Sequence, residues 1–352
     1  MPVFRMLYRT ISPRNKGCIV GSTQWNQVTA VILAAGNGQR MKECGIDSPK
    51  VLLPVLDQAV LVRQVKHLYK VGCEHFVVVN NIKDEEEIEN AVARGVWRGG
   101  EESGQMSGAS LVQYVQQKPL GITDALLTAA KEEWFKKPFL TVLGDIWFMP
   151  RMEAFKNMLA TLEEHKAAAV IVTSREENPD RVKDNFAVYT SADGSVQRVE
   201  EKPENPNTDL KGVGVYLFAP TVWQFFEKEQ PADLTEALQM LIDNGHTVMH
   251  SECVQADVNI NTPADLWRAN MTAMTLLPEQ KPEGYSAFNA IVHSGVSMRN
   301  CAVMIGSEVL GTGSMENCVV LPHTGIRLDG ETVKNSLIGL GYHLQVDEED
   351  EE

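Results

Sequence analysis

Short apolar runs alternate with stretches of helical spacing from residue 28 to residue 173, and few folds accept that pattern. Runs at 28–33 (Val28, Val31, Ile32, Leu33), 75–80, 111–116, 138–143 and 167–173 read as buried strands. Between them, Val60, Leu61, Gln64, Val65, Leu68 and Tyr69 recur at helical spacing, and 84–94, 123–134 and 152–165 read as further helices. Strands that alternate with helices lie parallel and are joined by crossovers, which predicts an α/β fold, a three-layer α/β/α Rossmann-like sandwich. Ligands of such sheets bind beyond the carboxyl ends of the strands, so residues that follow strands are the ones chemistry should use.

At 352 residues the chain is long enough for one large domain and one smaller one. A net charge of −15 argues against nucleic-acid binding, which needs a basic footprint. Part of that charge is a C-terminal acidic run at 347–352, read as a solvated tail. No apolar run approaches the ~18 residues of a membrane span. Six scattered cysteines (Cys18, Cys44, Cys73, Cys253, Cys301, Cys318) show no C-x-x-C pair and read as free thiols in a reducing, cytoplasmic compartment. Residues 1–27 carry Arg5, Arg9, Arg14 and Lys16 with no acidic residue, weakly like an organelle transit peptide. A disordered extension or an early start codon are the alternatives, and the first domain is expected from Val28.

Residues 28–55 read VTAVILAAGNGQRMKECGIDSPKVLLPV: a strand, a loop with Gly36, Gly38 and Arg40, then Pro49-Lys50 and a new apolar run. The glycines admit a close backbone approach, and successive amides in such a turn form a concavity for anions. Arg40 and Lys50 add two cations, which together describe a triphosphate cradle. A dinucleotide fingerprint with Asp57 on a ribose is the rival, but Met41 occupies its third glycine position and Arg40 with Pro49-Lys50 has no place in it.

Four further segments follow strands. In YVQQKPLGITDA (114–125), Gln116 offers a donor and an acceptor ahead of Gly121. Asp145, in Leu143-Gly144-Asp145, is placed to hold a hard divalent cation through oxygen. Glu201-Lys202-Pro203 precedes Gly212-Val213-Gly214-Val215-Tyr216. The last is DVNINTPADL (257–266), where Thr262 and Pro263 open a helix as N-cap and first residue.

In combination these motifs resemble the sugar-phosphate nucleotidyltransferases, or NDP-sugar pyrophosphorylases: L-A-A-G-x-G-T-R-[ML], P-K-x-L-x-P-V, L-G-D, E-K-P, G-[LIV]-Y-x-F and [DN]-x-x-T-P-x-D-L. Gln39 departs from the usual Thr or Ser, Ile122 from Thr, and Ala187 from the glycine of a Tyr-Gly-Val segment. The resemblance implies a nucleotide cradle of Leu33, Ala34, Ala35, Gly36 and Gly38, with Arg40 and Lys50 catalytic. It implies that Gln116 and the Gly121 backbone meet the base. Glu201 would accept sugar hydroxyls, Lys202 would approach the sugar phosphate, and the Gly214 backbone would meet the sugar. Asp145 and Asn259 would hold Mg2+, with Asp257 the alternative to Asn259 if the register of that strand slips.

Beyond Pro278, Val303, Val309, Met315 and Leu321 recur every six residues with glycines between them, the mark of a β-helix of two or three coils. The resemblance implies a left-handed one. The expected division is therefore a nucleotidyltransferase domain at 28–278, a short β-helix at 286–345 and a tail at 346–352. Open β edges on so short a coil invite pairing with another chain, giving a homo-oligomer, or with the catalytic domain. His293 and His323 read as surface residues, not as an acyltransferase base.

The expected activity joins a sugar 1-phosphate to a nucleoside triphosphate with release of pyrophosphate. Glucose 1-phosphate with UTP or TTP is favoured, and mannose 1-phosphate with GTP is the runner-up. The alternatives are a catalytically silent regulatory or scaffold relative that binds sugar nucleotide, and a cytidylyltransferase for a non-sugar alcohol phosphate, whose members usually lack the coil.

Overall fold

The computed structural model describes residues 4–6, 23–36, 41, 46–97, 106, 108–116, 121–129, 136–176, 178–278 and 281–346. Gly38, Arg40 and the acidic run 347–352 lie outside the described residues. The chain forms two compact units, one from positions 1–36 and 61–257 and one from 37–60 and 258–352.

The first unit is built on a mixed sheet. Its strands are β1 (Thr29–Ala34), β2 (His75–Asn81), β3 (Ser110–Gln116), β4 (Phe139–Leu143), β5 (Ala169–Arg175), β6 (Phe186–Thr190), β7 (Val196–Glu201), β8 (Leu210–Phe218) and β9 (Val248–Ser251). They lie in the order β3-β2-β1-β4-β8-β6-β7, with β5 on β8 and β9 on β5, and Phe4–Met6 runs antiparallel beside β3. β3, β2, β1 and β4 are mutually parallel, as the alternation predicts, and β8 turns the sheet antiparallel. Alternate residues feed two faces. Val31, Val77, Val79, Phe139, Ile171, Tyr216 and Phe218 pack with Leu126 of the helix Ile122–Ala129, Trp223 and Phe226 of Val222–Glu229, and Leu238 of Leu234–Asp243. Phe139 lies between the rings of Trp223 and Phe218, 4.0 and 5.2 Å away. The helix Met152–Glu164 buries Phe155 against Phe148 and Trp25, and the indole of Trp25 donates to the Lys156 carbonyl.

His67, on the helix Val60–Val71, is buried edge-on to Phe148. Burial first, then the charges of Arg63 and Lys70, lower its pKa from 6.5 to about 4. In that window the unfolded chain binds a proton that the folded chain refuses, so stability is lost as pH falls from 6.5 toward 4. His67→Leu is expected to remove about 3 kcal/mol of this acid sensitivity, each pKa unit being worth about 1.4 kcal/mol. Urea titrations of both proteins at neutral pH and at the lower limit of the window check it, and equal acid sensitivity would refute the assignment.

In the second unit, the hairpin Pro54–Val55 with Gln58–Ala59 turns through Leu56 and Asp57 at φ 46° and 62°. Such a turn normally takes Asn-Gly, because both central residues are left-handed. Tertiary hydrogen bonds hold it instead. The fully buried Asn270 accepts from Leu56 N at 2.9 Å and donates to the Pro54 carbonyl at 3.2 Å. The Asp57 carboxylate accepts from Tyr285 Oη at 2.8 Å and Ile305 N at 2.7 Å, which is the work this residue does in place of a ribose contact. Thr262 and Asp265 form a capping box at the start of the helix Pro263–Thr275, with Pro263 in the first turn as expected.

From Gly284 onward the strands stack parallel, and successive partners lie one coil apart: Gly284 on Cys301, Glu308 on Gly325, Cys318 on Ser336. This is consistent with a β-helix, and its core is lined by Cys301, Val303, Val309, Met315, Cys318, Val320, Leu328 and Ile338. Val320 rather than Leu321 occupies the buried position above Val303. The coil step there is 17 residues, as between Asn300 and Asn317, one short of three hexads. Asn300, Asn317 and Asn335 stand at the same corner with φ near 50°, and their side chains hydrogen-bond in a ladder at 2.9 and 3.0 Å. Asparagine tolerates the left-handed conformation better than other non-glycine residues. The strand Tyr342–Gln345 folds back antiparallel on the last coil and covers its edge.

Candidate active site

The four parallel strands bring several predicted residues of the first unit to one edge of the sheet. β1 runs out at Leu33 and Ala34 before Ala35 and Gly36; β3 ends at Gln116; β4 ends at Leu143, directly before Gly144 and Asp145. β8 runs the other way, so its first residues fall at the same edge, with Val215 opposite Val142. There β6 and β7 begin and end respectively, Ala187 facing Lys211 and Phe186 facing Glu201. Leu33–Gly36 and Gln116 therefore lie on one side of β4, Gly214 and Glu201 on the other, and the Asp145 turn lies between.

Each of these positions has a local cause. The Gly144 N–H donates to the Leu33 carbonyl at 2.9 Å, tying the Asp145 turn to the end of β1. Gly214 has φ +82°, and a Cβ there would meet Leu143 and Ile146 side-chain carbons at 3.0 Å, so both conformation and space call for glycine. The buried Gln116 gives its amide hydrogens to the Gly121 carbonyl at 3.2 Å and to Asp124 Oδ2 at 2.9 Å. The Thr123 hydroxyl donates to the Pro231 carbonyl, which fastens the same turn. Glu201 is exposed, and its Oε2 accepts from Thr235 Oγ1 at 2.8 Å. Lys202 is exposed with φ +44°, its N–H held by the Asn185 carbonyl at 2.9 Å. The ring of Phe186 fills the space beside Gly212 where any side chain would clash.

Asp257 is engaged. Lys211, only 8% exposed, reaches Asp257 Oδ2 at 3.0 Å and Glu176 Oε2 at 3.5 Å. A buried lysine needs such partners, since an uncompensated charge at that depth is strongly unfavourable. Asn259, which belongs to the second unit, has a buried Oδ1 with no partner among the described residues. A hard divalent cation would satisfy that oxygen, and a carboxylate and an amide oxygen are suitable donors for magnesium.

Lys50 also belongs to the second unit, in the 3-10 turn Lys50–Leu52, and its Nζ donates to Asn261 Oδ1 at 2.8 Å. Asn261 is in turn held by its N–H to Asp265 Oδ2 at 3.0 Å, at the capped start of Pro263–Thr275. The sequence motifs assign no role to Asn261 or Lys211. The only available signals were an extra Asn in NINTP and a charge inside an apolar strand.

The sequence profile described as Nucleotidyl transferase matches residues 29–275. The chain belongs to this nucleotidyl transferase family. Among curated proteins, this nucleotidyltransferase is 27% identical over 250 residues to a low-salt glycan biosynthesis nucleotidyltransferase of Haloferax volcanii, covering 69% of this chain and 65% of that one. It is also 27% identical over 317 residues to a glucose-1-phosphate thymidylyltransferase of Streptomyces griseus, covering 85% and 82%. Among solved structures, UDP-glucose pyrophosphorylase complexed with UDP-glucose superposes with a TM-score of 0.57 at 16% identity, covering 70% of this chain and 98% of that one, which establishes a shared fold. Among the described residues of the nucleotidyltransferase, no helix is long and apolar enough to cross a membrane.

Proposed function

We propose that this nucleotidyltransferase joins a hexose 1-phosphate to a nucleoside triphosphate and releases pyrophosphate, with glucose 1-phosphate and UTP or TTP the favoured pair and mannose 1-phosphate with GTP the second. The observation that carries the proposal is the order of the sheet edge, with the expected nucleotide-side groups Leu33–Gly36 and Gln116 on one side of the Asp145 turn and the expected sugar-side groups Gly214 and Glu201 on the other. The activity of the Streptomyces relative supports the choice of sugar.

In the proposed reaction a phosphate oxygen of the sugar 1-phosphate attacks the α-phosphorus. One P–O bond forms, the bond to the β-phosphate breaks, and pyrophosphate leaves with the electron pair. The nucleophile is already anionic near neutral pH, so no general base is required. Alignment and charge neutralisation supply the acceleration. Arg40 and Lys50 serve as fixed cations, with the backbone of Leu33, Ala34, Ala35, Gly36 and Gly38 as the cradle. Gln116 has both amide hydrogens engaged within its own loop, so its oxygen is left to accept from a base N–H, as uracil, thymine or guanine provides. Lys202 approaches the sugar phosphate. Asp145 and Asn259 would hold Mg2+, which when bound neutralises charge on the α-phosphate. The orphaned oxygen of Asn259 and the engagement of Asp257 by Lys211 support Asn259 as the second ligand.

Pyrophosphate release from the purified protein, measured with four nucleoside triphosphates against a panel of sugar 1-phosphates, tests the proposal. Turnover with a hexose 1-phosphate is expected, and no turnover with any pair would favour a silent relative. Glu201→Gln is expected to raise KM for the sugar phosphate by roughly 10-fold or more, since charge-assisted hydrogen bonds are worth about 1.5–3 kcal/mol. The glutamine oxygen would keep the Thr235 bond and turn the amide NH2 toward the sugar hydroxyls. Equal increases for sugar phosphate and nucleotide would show Glu201 to be misplaced. A cytoplasmic homo-oligomer formed through the coil, whose Phe288, Ile291 and Ile305 are exposed, completes the proposal and is read by light scattering.

A further inference from the structure

Gln64 is a polar residue at an apolar position of the helix Val60–Val71, and it is 2% exposed. Its Nε2 donates to the Leu143 carbonyl at 2.9 Å and to the Ile146 carbonyl at 2.7 Å. Both amide hydrogens are thus spent on the two carbonyls that bracket Gly144 and Asp145. Its Oε1 is buried with no partner among the described residues. Leaving a buried acceptor unsatisfied costs about 1–3 kcal/mol, a penalty that a leucine at the same helical position would not carry. The two donations are what such a side chain gives in return.

The same turn is held from two other directions. The Gly144 N–H is bonded to Leu33 at the end of β1, and Gly214 of β8 lies against the side chains of Leu143 and Ile146. Three elements, a helix and two strands, therefore fix the backbone on both sides of Asp145. We propose that Gln64 is a positioning residue for the divalent-cation site: its amide clamps the Leu143–Ile146 backbone so that the Asp145 carboxylate is set before the ion arrives. The inference rests on Asp145 being a ligand, as proposed above. Magnesium demands near-octahedral geometry, so loss of the clamp is felt as loss of affinity rather than loss of a ligand. Outer-shell partners of metal ligands are commonly worth about 10–100-fold in affinity.

The test is Mn2+ binding to the full chain, read by the loss of the free-ion electron paramagnetic resonance signal, in the presence of a triphosphate analogue with a methylene bridge in place of the α,β-oxygen. Gln64→Met keeps the length and volume of the side chain and removes both donors; Gln64→Leu is a second apolar replacement. Both are expected to raise the Mn2+ Kd by roughly 10-fold or more. Affinity for the analogue without metal should stay within about twofold, and thermal melting should remain cooperative. Asp145→Asn is measured beside them. If Asp145→Asn binds Mn2+ like the wild type, Asp145 is not a ligand and the reading beneath the inference fails. If Asp145→Asn weakens binding while a folded Gln64 variant binds like the wild type, the clamp alone is overturned.

Discussion

Asp145→Asn lowers kcat by roughly 10³-fold, about 4 kcal/mol of transition-state stabilisation, and weakens magnesium binding in the same step. The expectation follows from charge. Of the two proposed ligands, only Asp145 carries a negative charge, because Asn259 offers a neutral amide oxygen. Asp145→Asn keeps the shape and leaves two neutral ligands. Asn259→Asp adds a charge and should be tolerated, or even tighten the ion. With a single carboxylate, magnesium affinity should be poor until nucleotide adds its own phosphate oxygens. Calorimetric titration of magnesium with and without nucleotide, with kcat measured across magnesium concentration for both variants, checks each part. A crippled Asp257→Asn beside a silent Asn259→Ala would move the second ligand to Asp257. In that case Asp257 would have to serve the ion while its Oδ2 lies 3.0 Å from the Lys211 ammonium.

Lys50→Ala is expected to lower kcat by about 10²–10³, the cost of losing one preorganised donor to developing charge. Its ammonium is held by Asn261 at 2.8 Å, and Asn261 is held by the capped helix start. Asn261→Ala keeps the charge and loosens its position, so its expected effect is smaller, roughly tenfold, by the same reasoning about misplacement of reacting groups. Lys50→Arg should not restore the wild-type rate, because a planar fork does not occupy the position of a compact ammonium. Saturating kinetics by pyrophosphate release measures all three variants. Wild-type turnover in Lys50→Ala would remove Lys50 from the mechanism.

The four parallel strands and β5 were legible because central parallel strands are buried on both faces and read as continuous apolar runs. FVVV within β2 and FLTVL in β4 are of this kind. Asp145 was legible because it follows such a run. Lys211 was not, since a lysine in LKGVGVYLF resembles a strand boundary until Asp257 and Glu176 are seen beside it. Gln64 fitted the helical spacing as well as leucine would, and only the carbonyls of a distant turn explain the amide. In the coil, the hexads located the repeat. At the asparagine corner one coil step is 17 residues and the next is 18, a matter of backbone stacking, and the shorter step puts Val320 rather than Leu321 at the buried position.

The segment around Lys50 and Asp57 has a consequence for how the protein is made. Among its partners are Asn261, Asn270, Tyr285 and Ile305, which lie far downstream. The ribosome adds about 5–20 residues per second, and the last of these contacts, between Asp57 and Ile305, spans 248 positions. The hairpin therefore emerges early and must wait on the order of 10–50 s, at that rate, for the chain that holds it. A nascent chain stopped after β9 has the strands of the first sheet but none of these anchors for Lys50 and its turn. The Asp57 turn gains its last anchor only late in synthesis, together with the coil that carries Ile305.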